Sequence, residues 1–178
     1  MVSSLNKGVS KVAVNLRWDP SPMGAVPHDL DIVAATYPAA SPGGDPAYVV
    51  HFDSRSPDGT ITLTRDSRTG QGFGSDEIMT LELDRLAAVY GRVVVGVAIQ
   101  QRDGRRVFGE VAKTLVTVVE GHTELWRSDF SPVAGATAAV VAEFVRNERG
   151  VWEYRETIRG FETDPQPFVS LMGLTDER

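Results

Sequence analysis

Polar and apolar residues alternate along much of this chain with a period of two. Val12, Val14, Leu16 and Trp18 interleave with Lys11, Ala13, Asn15 and Arg17, the pattern of a strand with one buried face. Pro20, Pro22, Gly24 and Pro27 break the pattern into a loop, and a second strand is predicted near Asp29–Tyr37. Ala47–Phe52 is apolar nearly throughout, which predicts a central strand covered on both faces. Ser56-Pro57-Asp58-Gly59 is a turn signal, with proline suited to the second turn position and glycine to the last; it predicts a hairpin pairing Tyr48–Phe52 with Ile61–Thr64. Further strands are expected at Ile78–Leu83, Arg92–Gln100, Thr114–Glu120, Glu124–Phe130, Ala138–Arg146 and Val151–Ile158. Turns at Arg102-Asp103-Gly104 and Asn147-Glu148-Arg149-Gly150 punctuate the series. Helix signals are few: one or two turns at Asp84–Tyr90 and a short helix at Phe168–Gly173. Many short strands between regular turns predict an all-β sandwich or barrel.

With 178 residues and no internal repeat or low-complexity linker, the chain is read as a single domain over residues 1–178, with a tail from about Asp164 expected to be loosely held. That length buries roughly 70% of the unfolded surface, so no staple is needed. The net charge of −6 argues against a general nucleic-acid binder, which gains affinity by neutralising phosphates. With no cysteine, disulfides, thiolate metal sites and a cysteine nucleophile are excluded. The first residues lack a signal-peptide core, and no run approaches a membrane span of about 20 apolar residues. A cytoplasmic location is the expectation.

The chemistry concentrates in two places. The loop Asp66-Ser67-Arg68-Thr69-Gly70-Gln71-Gly72-Phe73-Gly74-Ser75-Asp76-Glu77 has carboxylates at both ends and three glycines between them. Upstream, Asp29-Leu30-Asp31 places two carboxylates on one face of the second strand, roughly 6.6 Å apart at Cα. On this reading they face outward while Leu30, Ile32 and Ala34 face the core. Hard divalent cations take several oxygens, some of them charged, on a backbone that can bend around the ion. The pattern points to calcium. It is not an EF-hand: Asp66 and Glu77 fit the end positions, but Arg68, Gly70 and Gln71 do not fit the interior, and the flanks are strands. A solvated acidic surface explains the same residues without a metal.

Other constellations say less. His28, His51 and His122 show no zinc spacing. Gly70–Gly74 lacks the Gly-Lys-Ser/Thr ending of a phosphate loop, and no Gly-x-Ser-x-Gly elbow occurs. Asp29 with Asp31, or Asp66 with Glu77, has the composition of a glycosidase-like pair, but nothing marks one acid as buried and the other as solvated. Trp18, Trp126 and Trp152 read as core.

Several blocks resemble the TerD family, named for bacterial tellurite resistance and grouped with general stress proteins. They are Ser4-Leu5-Asn6-Lys7-Gly8, Asp29-Leu30-Asp31, Ser56-Pro57-Asp58-Gly59, Asp66-Ser67-Arg68-Thr69-Gly70, Ser75-Asp76-Glu77 and Phe108-Gly109-Glu110-Val111, in family order. The resemblance implies a β-sandwich of two mostly antiparallel sheets that binds Ca²⁺. Carried over residue by residue, the implied ligands are Asp29, Asp31, Asp66, Asp76 and Glu77. Three family acids or amides are replaced here, by residues at Pro27-His28, by Ser67 and by Ser75, while Arg65 and Arg68 add positive charge. The expected function is thus a non-enzymatic, calcium-binding stress-response protein whose partners are calcium and other stress-response proteins. A metal-independent interaction scaffold and a carboxylate-pair hydrolase are the alternatives.

Overall fold

The structure is a computed structural model and describes residues 8–65, 70, 74–101 and 104–174. Among these residues, ten strands form two antiparallel five-stranded sheets. The strands are β1 (Lys11–Arg17), β2 (Leu30–Pro38), β3 (Tyr48–Val50), β4 (Ile61–Arg65), β5 (Glu77–Glu82), β6 (Tyr90–Ile99), β7 (Leu115–Glu120), β8 (Thr123–Ser128), β9 (Ala138–Arg146) and β10 (Trp152–Phe161). One sheet runs β4-β5-β1-β7-β8 and the other β10-β9-β6-β2-β3, so the all-β sandwich expected from the periodicity is the observed fold. The inner faces meet in one core, with Val12, Val14, Leu16, Met79 and Leu81 from the first sheet against Leu30, Ile32, Val93, Val95 and Phe144 from the second.

The two sheets differ in how their outer faces are treated. β1 alternates buried and part-exposed positions, while β2 and β6 are buried almost throughout. The reason is a helix, α1 (Pro165–Leu171), on the outer face of the second sheet. Its Phe168, together with Met172 just beyond it, is fully buried against Val33, Ala35, Val94 and Val140. Gly96 is required here, because a Cβ on it would stand 2.6 Å from the Phe168 ring. The segment from Asp164 thus packs on the sheet through Phe168 and Met172. Arg92 helps to hold it, donating to the carbonyls of Gly173 and Pro42 at 2.8 Å each and pairing with Glu143 at 2.6 Å.

Three local expectations are corrected. β3 is an edge strand rather than a central one; its apolar run arises because Tyr48 and Val50 pack into the core while Val49 packs on the outer layer. β3 and β4 do not form a hairpin. The Ser56–Gly59 turn carries the chain from one sheet to the other, with β3 pairing only to β2 and β4 only to β5. The one or two turns expected over Asp84–Tyr90 are a single 3-10 turn that starts earlier, at Leu83–Arg85, with Glu82 rather than Asp84 at its N-cap. The Asn147–Gly150 hairpin does form, with the Asn147 side chain accepting from the N–H groups of Arg149 and Val151.

Candidate metal centre

At one end of the sandwich β1 finishes while β2 and β5 begin, and there the two acidic blocks meet. Leu16 is paired with Glu77 across the β1–β5 ladder, and the N–H of Asp76 donates to the Leu16 carbonyl at 2.8 Å. This fixes Asp76-Glu77 beside the end of β1. Side chains alternate along β5, so Glu77 shares the inward face of Met79 and Leu81 and points between the sheets. Its Oε1 accepts the N–H of Ile32 at 2.8 Å. That N–H belongs to the start of β2, outside the Ala34–Thr36 stretch that β3 pairs. A carboxylate thus serves β2 where a neighbouring strand is missing.

Asp31 lies on the opposite face of β2 from Leu30 and Ile32, as the two-residue period predicts, but it is not solvated. Asp29, Asp31, Asp76 and Glu77 are all under a tenth exposed. Oxygens of Asp29, Asp31 and Glu77 lie within 4.8 Å of one another, the one such group of three metal-ligating side chains among the described residues. The Asp31 carboxylate also accepts from Gln100 Nε2 at 2.6 Å, and the Asp29 carbonyl accepts the Gln100 N–H at 2.9 Å. Asp76 stands beside this group without joining it, its Oδ2 accepting the Trp18 N–H at 2.8 Å. Asp66 lies outside the described residues, as do Ser67–Thr69 and Gln71–Phe73.

Trp18 ties the parts together. Besides its bond to Asp76, its indole N–H donates to the His28 carbonyl at 3.0 Å, next to Asp29. Gly70 sits against the same ring with φ of +77°, and a Cβ there would approach Trp18 Nε1 to 2.5 Å. Only glycine fits that conformation and that approach. His28 is buried, and its imidazole is held below its ordinary pKa by burial and by the positive charge of Arg106, against the opposing pull of Glu110.

Three carboxylates this close, and this well shielded from water, repel one another strongly when all are charged. A hard cation removes that repulsion and takes oxygen ligands. The donors fit such an ion: they are all oxygens, and each carboxylate has two of them, so a bond from Ile32 or Gln100 does not exhaust its capacity. Thiolates are absent from the chain and no histidine joins the group, so zinc is a poorer fit. The site can therefore hold a metal ion.

The sequence pattern singled out the carboxylates but missed Gln100 and Trp18. Gln100 is the polar residue that ends the apolar run Val93–Ile99, and that interruption was the available signal. Trp18 carried no signal beyond its apolar position.

The TerD domain family matches residues 2–170. The chain belongs to the TerD family. Tellurium resistance protein TerD of Serratia marcescens is 29% identical over 166 residues, covering 90% of this chain and 85% of that protein. General stress protein 16U of Bacillus subtilis is 26% identical over 166 residues, covering 90% and 86%. A solved homologue of the telluride resistance protein, from Streptomyces coelicolor A3(2), superimposes with a TM-score of 0.91 at 57% identity over 93% of this chain and 98% of that one. No helix among the described residues is long and apolar enough to cross a membrane.

Proposed function

We propose that this TerD-family protein binds Ca²⁺ at the end of the sandwich, through Asp29, Asp31 and Glu77, and acts as a non-enzymatic, cytoplasmic stress-response protein. The observation that carries the reading is the burial of three carboxylates within 4.8 Å of one another, with backbone and side-chain bonds holding them in place. Asp66, at the start of the glycine-rich loop, is assigned as a further ligand. Asp76 positions the loop's end through Trp18, or completes the coordination once the ion is present. The family's association with tellurium resistance and the general stress name of a relative supply the setting. In that setting the ion-ordered end of the sandwich would be read by other stress-response proteins.

Ca²⁺ is favoured over Mg²⁺ because the proposed ligands are all oxygens and Ca²⁺ accepts irregular oxygen geometries, whereas Mg²⁺ demands a compact octahedron. An ion that binds only the folded state adds about 2.7 kcal/mol of stability at 100 times its Kd. Metal-stripped protein should therefore melt higher in millimolar Ca²⁺ than in chelator, and less so in equal Mg²⁺. Identical curves in all three would leave the interaction-scaffold reading, which the serines at Ser67 and Ser75 favour.

A further inference from the structure

Beside the acidic group a cleft of about 610 Å³ opens between the start of α1, the outer face of β2 and β6, and the segment that follows β3. Its volume falls in the range of small-ligand sites. Three carboxylates line it from three separate parts of the chain: Asp31 on β2, Asp53 after β3, and Asp164 at the head of α1. No lysine or arginine is among the described residues of its wall. His51 also lines it, its Nδ1 accepting the Asp53 N–H at 3.2 Å. The wall also carries Phe52, half-exposed and in tilted contact with the His51 ring at 5.4 Å. Anionic oxygens and an accessible aromatic side chain lining one cleft suit organic cations, through charge-assisted hydrogen bonds and cation–π contact.

We propose that this cleft binds a small organic cation, an alkylammonium or guanidinium group, presented by a free diamine or by a lysine or arginine side chain. The cleft shares Asp31 with the carboxylate group, and Gln100, which also lines it, donates to Asp31 at 2.6 Å. A metal ion on Asp31 removes negative charge from the cleft floor, so the two ligands oppose each other. Each weakens the other by the same factor, as linkage requires. Only this antagonism rests on the calcium reading; binding of the organic cation does not.

The test is calorimetric titration of metal-stripped protein at low ionic strength. The probes are putrescine, the capped tripeptide Ac-Gly-Arg-Gly-NH₂, and the neutral isostere of the diamine, 1,4-butanediol. At least one cationic probe should bind while the diol does not, and the tighter of the two cations assigns the source. The double variant D53N/D164N should weaken that probe about tenfold, since it removes two charged acceptors while keeping their shape. Phe52→Ala should weaken it severalfold. Neither variant touches the carboxylate group, and a wild-type circular dichroism spectrum with a cooperative melt serves as the folding control. Saturating Ca²⁺ should weaken the cationic probe in the wild type. Equal binding of the diol, no heat from either cation at millimolar concentration, or unaltered affinity in D53N/D164N would overturn the proposal. If putrescine binds but Ca²⁺ neither binds nor competes, the calcium reading fails and the cleft stands. If Ca²⁺ binds normally and no cationic probe does, the reverse holds.

Discussion

Replacing Glu77 by Gln separates a metal centre from a merely structural acid. Glu77 is fully buried and has two acidic neighbours, Asp29 and Asp31, each with an oxygen within 4.8 Å. At that separation and an effective dielectric of about 20, each charged pair costs about 3.5 kcal/mol, and more if closer, so removing the Glu77 charge relieves about 7 kcal/mol before screening. Counter-ions and local relaxation absorb most of this. The amide oxygen of Gln can still accept the Ile32 N–H, although a neutral bond there is weaker by about 1 kcal/mol. The net expectation in chelator is a gain of about 2 kcal/mol, or roughly 4–8 °C in melting temperature for a domain of this size. Calcium affinity should move the opposite way. Losing one charged partner of a buried ion costs about 2–5 kcal/mol, a drop of at least about thirtyfold. Scanning calorimetry in chelator and in millimolar Ca²⁺ reads both effects. A Glu77→Gln protein that melts lower than wild type in chelator, with an undiminished calcium response, would refute the reasoning and make Glu77 a structural acceptor for β2.

Gly70→Ala should lower both stability, by about 1–2 kcal/mol, and calcium affinity, because it forces a Cβ to 2.5 Å from Trp18 Nε1 at a positive φ; an unchanged melting curve and titration would uncouple the loop from Trp18. Asp58→Ala should cost about 1 kcal/mol by chemical denaturation while sparing calcium binding, since the Asp58 carboxylate accepts the Thr60 hydroxyl at 2.7 Å and the Thr60 N–H at 3.1 Å. Burial pushes the Asp58 carboxyl up, but the Thr60 hydroxyl and the neighbouring backbone N–H groups outweigh it and leave it below its ordinary value. Its contribution is therefore present above the unfolded carboxyl's pKa near about 4 and disappears as pH falls through the lowered one, so variant and wild type should converge in strong acid. Phe168→Ala should cost about 3–5 kcal/mol and expose α1 to proteolysis, because the ring is fully buried against Gly96 and its neighbours; a protected α1 would mean the helix docks by other contacts.

What was legible in the sequence was local. Strand positions follow from alternation at Lys11–Arg17 and from continuous apolar runs at Tyr90–Ile99 and Ala138–Arg146, because each pattern reports which faces are covered. Sheet membership is not local. The Ser56–Gly59 turn reads the same whether it closes a hairpin or crosses between sheets, and only the pairing of β3 with β2 and β4 with β5 tells them apart. The outward face of Asp31 was legible, but its burial was not, since that depends on packing across the fold. The bond from Ile32 to Glu77 spans 45 residues of sequence. Spacing marks the two acidic blocks as chemically alike; the packing of β2 against β5 across the two sheets, with the Ile32–Glu77 bond, is what sets them side by side.

The most direct measurement is isothermal titration of metal-stripped protein with Ca²⁺, run alongside the variant D29N/D31N. A saturable, roughly stoichiometric heat in the wild type, weakened at least about tenfold in the variant, is the result expected of a shared site built by Asp29, Asp31 and Glu77. No saturable heat in the wild type, or an affinity indifferent to the loss of both aspartates, would contradict it.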